Sequence, residues 1–133
     1  MEQNQLNGTI LAYLGDAVIE LIAREKAIER GICEVRRLNQ VVPQMVRASA
    51  QSEAFGKIEP LLDEEELAIF KKGRNAHGIS APKSASAVEY RRATGMEALF
   101  AHLYLCGKRD RLNQLFDAAY GDFLEGWQEK IIK

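Results

Sequence analysis

Apolar residues recur at the spacing of an α-helix along almost the whole chain, and this periodicity most restricts what the chain can fold into. The first such segment follows Asn7, a suitable N-cap, and is expected to end at Gly31. No stretch of useful length alternates apolar and polar residues as a half-buried strand does, and the sequence has no internal repeat. The pattern therefore predicts an all-α fold.

Pro43 and an acidic run divide the next part of the chain. Proline removes a backbone donor, so a helix from about Glu34 to Gln40 is expected to break or kink at Pro43 and to resume from Gln44 towards Phe55. The acidic run 63–66 suits a helix N-terminus. The helix that it begins should end by Gly73.

Residues 73–86 read GRNAHGISAPKSAS, and their small, Gly, Pro and Ser residues predict the one long loop. Helical spacing returns from about Ala87 to Cys106, with Gly107 as the stop. A last helix is expected to turn these residues inward: Leu112, Leu115, Phe116, Ala119 and Phe123.

Length and composition bound the class of protein. The 133 residues, 47% of them hydrophobic, predict a single domain over 1–133. Cys33 and Cys106 are far apart and outside any CxxC pattern, so a reducing setting is expected and neither a disulfide framework nor a cysteine zinc site is indicated. No signal segment and no apolar run of about 18 residues is present, which predicts a cytoplasmic protein without a membrane partner.

Two acidic residues from distant parts of the chain are candidates for a catalytic pair. Asp16 lies roughly 140° around its helix from Leu11 and therefore off the apolar stripe, while Glu97 has apolar neighbours on a later helix. Two carboxylates that converge can hold Mg²⁺ through oxygen ligands. Periodicity does not reveal convergence, and each residue alone also fits an ordinary solvated acid.

The string LGDAVIEL around Asp16, followed later by EYRRATGMEALFAHLYL around Glu97, resembles the two carboxylate-bearing helices of the ribonuclease III catalytic domain. The resemblance spans residues 6–124. The short chain, which lacks an appended double-stranded-RNA-binding domain, and its GRNAHG and YRRATGMEAL stretches are similar to Mini-ribonuclease III in particular.

This resemblance implies a ribonuclease III endonuclease-domain-like helical bundle in which Asp16 and Glu97 are both catalytic residues and metal ligands. The implied cofactor is Mg²⁺, with Mn²⁺ as an alternative. The implied partner is double-stranded RNA, cleaved by a homodimer to leave 5′-phosphate and 3′-hydroxyl ends. The implied task is maturation of the ends of precursor 23S ribosomal RNA.

The sequence departs from the larger ribonuclease III enzymes at two positions. Those enzymes usually carry an acid four residues before the motif Asp and another three residues before the motif Glu, where this chain has Ala12 and Thr94. Mini-ribonuclease III is similar in lacking both acids. The departure implies more water around the metal and leaves the number of metal ions open.

The stretch 71–92 carries local positive charge, with six basic residues against the single acid Glu89 in a chain whose net charge is −1. Such a stretch can grip RNA phosphates, although it also fits a solvated loop. His77 and His102 are expected to be structural or RNA-contacting rather than metal-binding. The candidate RNA-contacting residues are Lys71, Lys72, Arg74, Asn75, His77, Lys83, Ser84, Tyr90, Arg91 and Arg92.

Two other functional classes stay open from the sequence. One is a noncatalytic ribonuclease III-fold protein that serves as an RNA-binding or ribosome-associated scaffold; the other is a helical partner-binding module without an RNA role. A dimer is also expected from geometry. Each chain offers one carboxylate pair, and the two scissile phosphates of a duplex are related by a pseudo-two-fold axis, which a symmetric dimer matches. Its contact is expected around Ile10, Leu14 and Val18.

Overall fold

A computed structural model describes residues 6–76 and 86–132, with the side chains of 128–132 excepted. Within these ranges the chain forms six α-helices and no strand, so the all-α prediction is confirmed. A short 3₁₀ turn, Glu59–Leu61, joins the third helix to the fourth. The helices are α1 (Gly8–Glu29), α2 (Val35–Val46), α3 (Ala48–Ile58), α4 (Glu64–Arg74), α5 (Ala87–Leu105) and α6 (Arg109–Ile132).

Both ends of α1 follow the sequence signals. The Asn7 side chain accepts a hydrogen bond of 2.9 Å from the Ile10 amide and so caps the helix. At the other end Gly31 takes a positive φ of 90°, which lets the Ile32 amide reach back to the Ala27 carbonyl. The predicted start at Asn7 and stop at Gly31 are confirmed.

The predicted break at Pro43 is wrong. Helix α2 continues through Pro43 to Val46, and the chain turns at Arg47, whose ψ of 153° is extended. Pro43 itself is exposed, whereas Val42 and Met45 on the same turn are buried in the core. Burying these two side chains offsets the hydrogen bond that proline cannot make, so the helix ends one turn later.

Capping boxes begin α4 and α5. The Asp63 carboxylate accepts from the Glu66 amide at 2.8 Å, while the Glu66 side chain accepts from the Asp63 amide at 3.0 Å. Ser86 and Glu89 repeat this exchange at the start of α5. The acidic run 63–66 therefore begins a helix as predicted, and that helix ends at Arg74, one residue beyond Gly73.

Helix α5 is the centre of the bundle. It packs against α1, α3, α4 and α6 and is buried on most of its circumference, as a helix covered by neighbours must be. Beneath it, Phe55 of α3 stacks on Phe70 of α4, with ring centroids 3.8 Å apart. Leu112, Leu115, Phe116 and Ala119 of α6 are buried as predicted, and Phe123 is half-buried. No helix in the described ranges is long and apolar enough to cross a membrane.

Candidate active site

Helices α1 and α5 approach each other most closely at Gly15. A Cβ atom added to Gly15 would overlap the main-chain carbonyl of Glu97, so only glycine fits here without a shift of the helices. Asp16 is the next residue on α1, and its carboxylate therefore emerges beside the Glu97 side chain. The structure brings together the two acids whose convergence the sequence pattern left open.

The carboxyl groups of Asp16 and Glu97 interact directly. Burial raises the pKa of Glu97 to about 8, and the negative charge of Asp16 and a hydrogen bond with it raise the pKa further in the same direction. Asp16 is exposed and Glu97 is half-buried, so the pair opens to solvent. No basic side chain of the described residues forms an ion pair with either acid.

Two tyrosines lie within the electrostatic field of Glu97. Burial raises the pKa of the Tyr120 hydroxyl, and the charge of Glu97 raises it further; the pKa of Tyr90 is raised by the same two causes in the same order. The Tyr120 hydroxyl donates a 2.8 Å hydrogen bond to the Met45 carbonyl. Both phenols therefore remain neutral around the carboxyl pair at ordinary pH.

The donor set fits a hard divalent cation that keeps much of its water. The two positions where larger enzymes have further acids are buried here: Ala12 is 7% exposed and Thr94 is 5% exposed, and the Thr94 hydroxyl donates to the Tyr90 carbonyl at 2.8 Å. Among the described residues no group of three or more His, Cys, Asp and Glu side chains is suited to a metal ion. Two carboxylates completed by water suit Mg²⁺ or Mn²⁺ rather than Zn²⁺.

The basic end of α4 lies next to the turn of α5 that precedes Glu97. Gly73 makes this contact, because a Cβ on Gly73 would lie 2.9 Å from the Thr94 carbonyl and 3.0 Å from the Gly95 Cα atom. The last turn of α4 carries Lys71, Lys72 and Arg74, where positive charge also complements the helix dipole. Helix packing thus places the positively charged end of α4 next to the α5 turn that precedes Glu97.

A cavity of about 120 Å³ gathers part of the predicted RNA-contacting set. Arg74, Tyr90 and Arg91 line it together with Thr94. The Arg74 guanidinium lies 5.7 Å from the centroid of the Phe70 ring and donates to the Asn75 side chain at 3.2 Å. Lys71 and Lys72 are exposed on the same helix end.

Among the described residues, Arg92 lies away from this cavity. The Arg92 guanidinium lies over the Phe55 ring, 5.6 Å from its centroid, and lines a larger cavity beside α3 and α6. His77, Lys83 and Ser84 lie outside the described residues. His102 is buried on α5 with its Nε2 atom 3.5 Å from Glu65, in agreement with a structural role.

Gly15 and Gly73 were not identified from the sequence as the residues that allow the helices of the site to pack closely. The available signal was a glycine inside a strongly periodic helix, where it costs about 1 kcal/mol relative to alanine and therefore indicates a close packing contact. LGDA and KKGR both carry this signal.

Comparison with known proteins shows which family the chain is similar to. The Ribonuclease III domain model matches residues 9–108. The Mini-ribonuclease 3 of Symbiobacterium thermophilum is 44% identical, over 89% of this chain and 90% of that protein. The Mini-ribonuclease 3 of Clostridium tetani is 37% identical, over 95% of this chain and 84% of that protein. The crystal structure of protein FN1578 from Fusobacterium nucleatum superposes with a TM-score of 0.78 at 33% identity, over 86% of this chain and 93% of that one.

Proposed function

The chain belongs to the ribonuclease III family, among the Mini-ribonucleases 3, and is an endoribonuclease; we propose that it cleaves double-stranded RNA at a divalent cation held by Asp16 and Glu97. The observation that carries this proposal is the glycine contact between α1 and α5. It sets two carboxylates side by side without a counter-cation among the described residues. A pair of like charges with one raised pKa is typical of a site that is completed by a cation.

The residues around the pair have distinct parts in this reaction. Asp16 and Glu97 would supply the protein ligands of the cation, and Glu97 would give up its proton when the cation binds. When bound, the cation would supply Lewis-acid activation of water and neutralise charge at the scissile phosphate. No protein nucleophile is needed, and the expected products carry 5′-phosphate and 3′-hydroxyl ends.

Arg74, Tyr90 and Arg91 are proposed to hold the RNA strand beside the carboxyl pair. They line one cavity next to the α5 turn that precedes Glu97, and Lys71 and Lys72 extend the positive surface along α4. Phosphate contacts of this kind give affinity with little dependence on base sequence, because side chains do not reach into the deep major groove of A-form RNA. Asn75, Arg92 and the residues His77, Lys83 and Ser84 remain proposed contacts.

A homodimer is proposed from the exposed face of α1. Ile10 and Leu21 are each 48% exposed and Tyr13 is 84% exposed, and their spacing puts them on one side of the helix beside Asp16. Val18, which was expected at this contact, is 4% exposed and belongs to the core. An isologous contact through the Tyr13 face would set two Asp16 sites across one RNA groove.

The natural substrate is proposed to be precursor 23S ribosomal RNA, which would place the enzyme in the cytoplasm. This rests on the similarity to Mini-ribonuclease III over most of the chain. Incubating the purified chain with a precursor 23S transcript and mapping the new ends tests it. Cleavage away from the mature ends, or none, contradicts this substrate.

The reaction itself is tested with purified protein and a perfect RNA duplex, with and without Mg²⁺, resolved on a denaturing gel. The proposal expects cation-dependent cleavage of both strands. A noncatalytic scaffold would bind the duplex without cutting it. A partner-binding module would show no salt-sensitive RNA binding.

A further inference from the structure

The small cavity beside the last turn of α4 differs in charge from the larger cavity beside α3 and α6. Two arginines, Arg74 and Arg91, line the small cavity, and no Asp or Glu is among its described lining residues. The larger cavity includes the acids Glu53 and Glu89 in its lining. Of these two cavities, only the small one is lined by positive charge alone.

The volume of the small cavity restricts which chemical group can enter it. Small-molecule sites in proteins usually measure about 300–1,000 Å³. This cavity measures about 120 Å³ and therefore does not hold a whole nucleotide. A phosphate group, which is a phosphorus atom with its oxygens, is small enough to enter. Charge and size together indicate a single phosphate group rather than a base.

Both arginines are available to an anion. Arg91 is exposed and forms no hydrogen bond or ion pair with another described residue. Arg74 donates from its Nε atom to the Asn75 side chain at 3.2 Å and has no carboxylate partner among the described residues. A guanidinium offers several N–H donors in one plane, and this arrangement matches the oxygens of a phosphate.

Tyr90 adds a neutral donor to the same cavity. Burial, and after it the charge of Glu97, raises the pKa of the Tyr90 hydroxyl, so this group keeps its proton at ordinary pH. The Thr94 hydroxyl is already used, because it donates to the Tyr90 carbonyl at 2.8 Å. The side chains of the cavity that can donate to an anion are therefore Arg74, Arg91 and Tyr90.

The cavity lies on the side of α5 that carries Glu97. At 100° per residue, Tyr90 lies about 20° and Thr94 about 60° around the helix from Glu97. Along the helix axis, Thr94 is about 4.5 Å and Tyr90 about 10 Å before Glu97. If duplex RNA resembles DNA, with roughly 3.4 Å of axis per nucleotide, these distances correspond to about one to three nucleotides of a strand.

We propose that this cavity seats a single phosphate of the cleaved RNA strand, between Arg74, Arg91 and the Tyr90 hydroxyl, within about three nucleotides of the scissile phosphate. The seated phosphate fixes the register of the strand at the carboxyl pair. The exposed lysines of α4 lie outside this cavity and add affinity without register. The inference rests on the proposed function, because it requires RNA to be cleaved at the carboxyl pair.

The test removes the charge of one phosphate at a time from the substrate. A short RNA duplex with one mapped cleavage site carries a neutral methylphosphonate at each position within about three nucleotides of the scissile phosphate in turn. Cleavage is measured in a single turnover with the enzyme in saturating excess, so the rate reports positioning rather than affinity. For the parent chain, neutralising one of these phosphates should slow cleavage about tenfold or more, because a charge-assisted contact is lost.

Arg91→Gln should slow cleavage of the unmodified duplex by a similar factor. It should also lose its sensitivity to that same methylphosphonate, because the contact is already absent. Tyr90→Phe should give a smaller effect at the same position. The control is Arg36→Gln, which removes an exposed arginine of α2 outside the cavity and should keep the parent's pattern. Circular dichroism verifies that each variant is folded.

Two results would overturn the inference. One is a parent rate that depends on no single neighbouring phosphate, and the other is an Arg91→Gln variant as sensitive to each methylphosphonate as the parent. In both cases the parent still cleaves the unmodified duplex, so the proposed function stands. A parent chain that cleaves no duplex overturns the proposed function, and this inference with it.

Discussion

Gly15 of α1 packs directly on the main-chain carbonyl of Glu97 in α5, and this contact sets the distance between the two acids of the site. Any side chain at position 15 would push the helices apart where Asp16 leaves α1. The carboxyl pair therefore depends on a residue that has no chemistry of its own.

Gly15→Ala should lower stability by about 1–3 kcal/mol and reduce cleavage more than substrate binding, because the overlap is with backbone that cannot rotate away. The matched control is Gly121→Ala on α6, where an added Cβ meets nothing within 4 Å. That change should stabilise the protein by up to about 1 kcal/mol through helix propensity. Urea unfolding and a cleavage assay measure both effects. A Gly15→Ala variant as stable and active as the parent would contradict the packing argument.

Asp16→Asn should abolish cleavage while the fold is retained, because it removes a ligand charge from an exposed position without changing its size. Glu97→Gln should behave in the same way, with partial recovery at high Mg²⁺ or with Mn²⁺. A denaturing gel measures cleavage, and a melting curve shows that the variants are folded. Cleavage by Asp16→Asn at the parent rate would contradict the assignment of Asp16 as a catalytic residue.

In the cation-free protein, Glu97 should contribute to the free energy of unfolding by an amount that falls as the pH rises. The folded pKa of about 8 lies above the ordinary value of 4.5, so the folded state holds an extra proton between these values. The contribution is fully present below pH 4.5 and is lost as pH approaches 8, with a slope of at most about 1.4 kcal/mol per pH unit. The difference between the parent and Glu97→Gln in urea unfolding isolates it. A difference that is constant from pH 5 to 8 would argue against the raised pKa.

Neutralising Lys71, Lys72 and Arg74 together should weaken duplex binding about equally for unrelated sequences. The salt dependence should flatten by about 0.9 log units per lost phosphate contact, if duplex RNA behaves like B-form DNA. The control variant neutralises Arg30, Arg36 and Arg37 and so removes the same amount of positive charge from another part of the protein. Filter binding across salt concentrations measures the slope. An unchanged slope would mean that Lys71, Lys72 and Arg74 are solvated side chains that do not contact phosphate.

Tyr13→Glu should convert the dimer to a monomer without unfolding it, because this side chain is 84% exposed in the single chain. Sedimentation equilibrium should report about twice the 14.9 kDa chain mass for the parent and one chain mass for the variant. Leu61→Glu, at an exposed apolar residue of the 3₁₀ turn, is the control. A mixed dimer with one Asp16→Asn subunit should nick one strand only. A parent chain that is monomeric and cuts both strands would exclude the dimer.

The sequence by itself determined the helices and the identity of the catalytic candidates. Asn7, Gly31 and the capping residue Asp63 fix their helix ends through hydrogen bonds to residues a few positions away, so local spacing was sufficient. The strings around Asp16 and Glu97 were specific enough to indicate the family. Pro43 was misjudged because its effect depended on the burial of Val42 and Met45, which is not a local property.

Only the tertiary structure decided which side chains share a site. Tyr90, Arg91 and Arg92 are neighbours in sequence, yet the first two line the small cavity near the carboxyl pair and Arg92 lines the larger cavity beside α3 and α6. Successive residues on a helix are about 100° apart, so the neighbouring helices determine what each one meets. The pairing of Asp16 with Glu97 likewise required the contact at Gly15, which arises from packing between helices far apart in the chain.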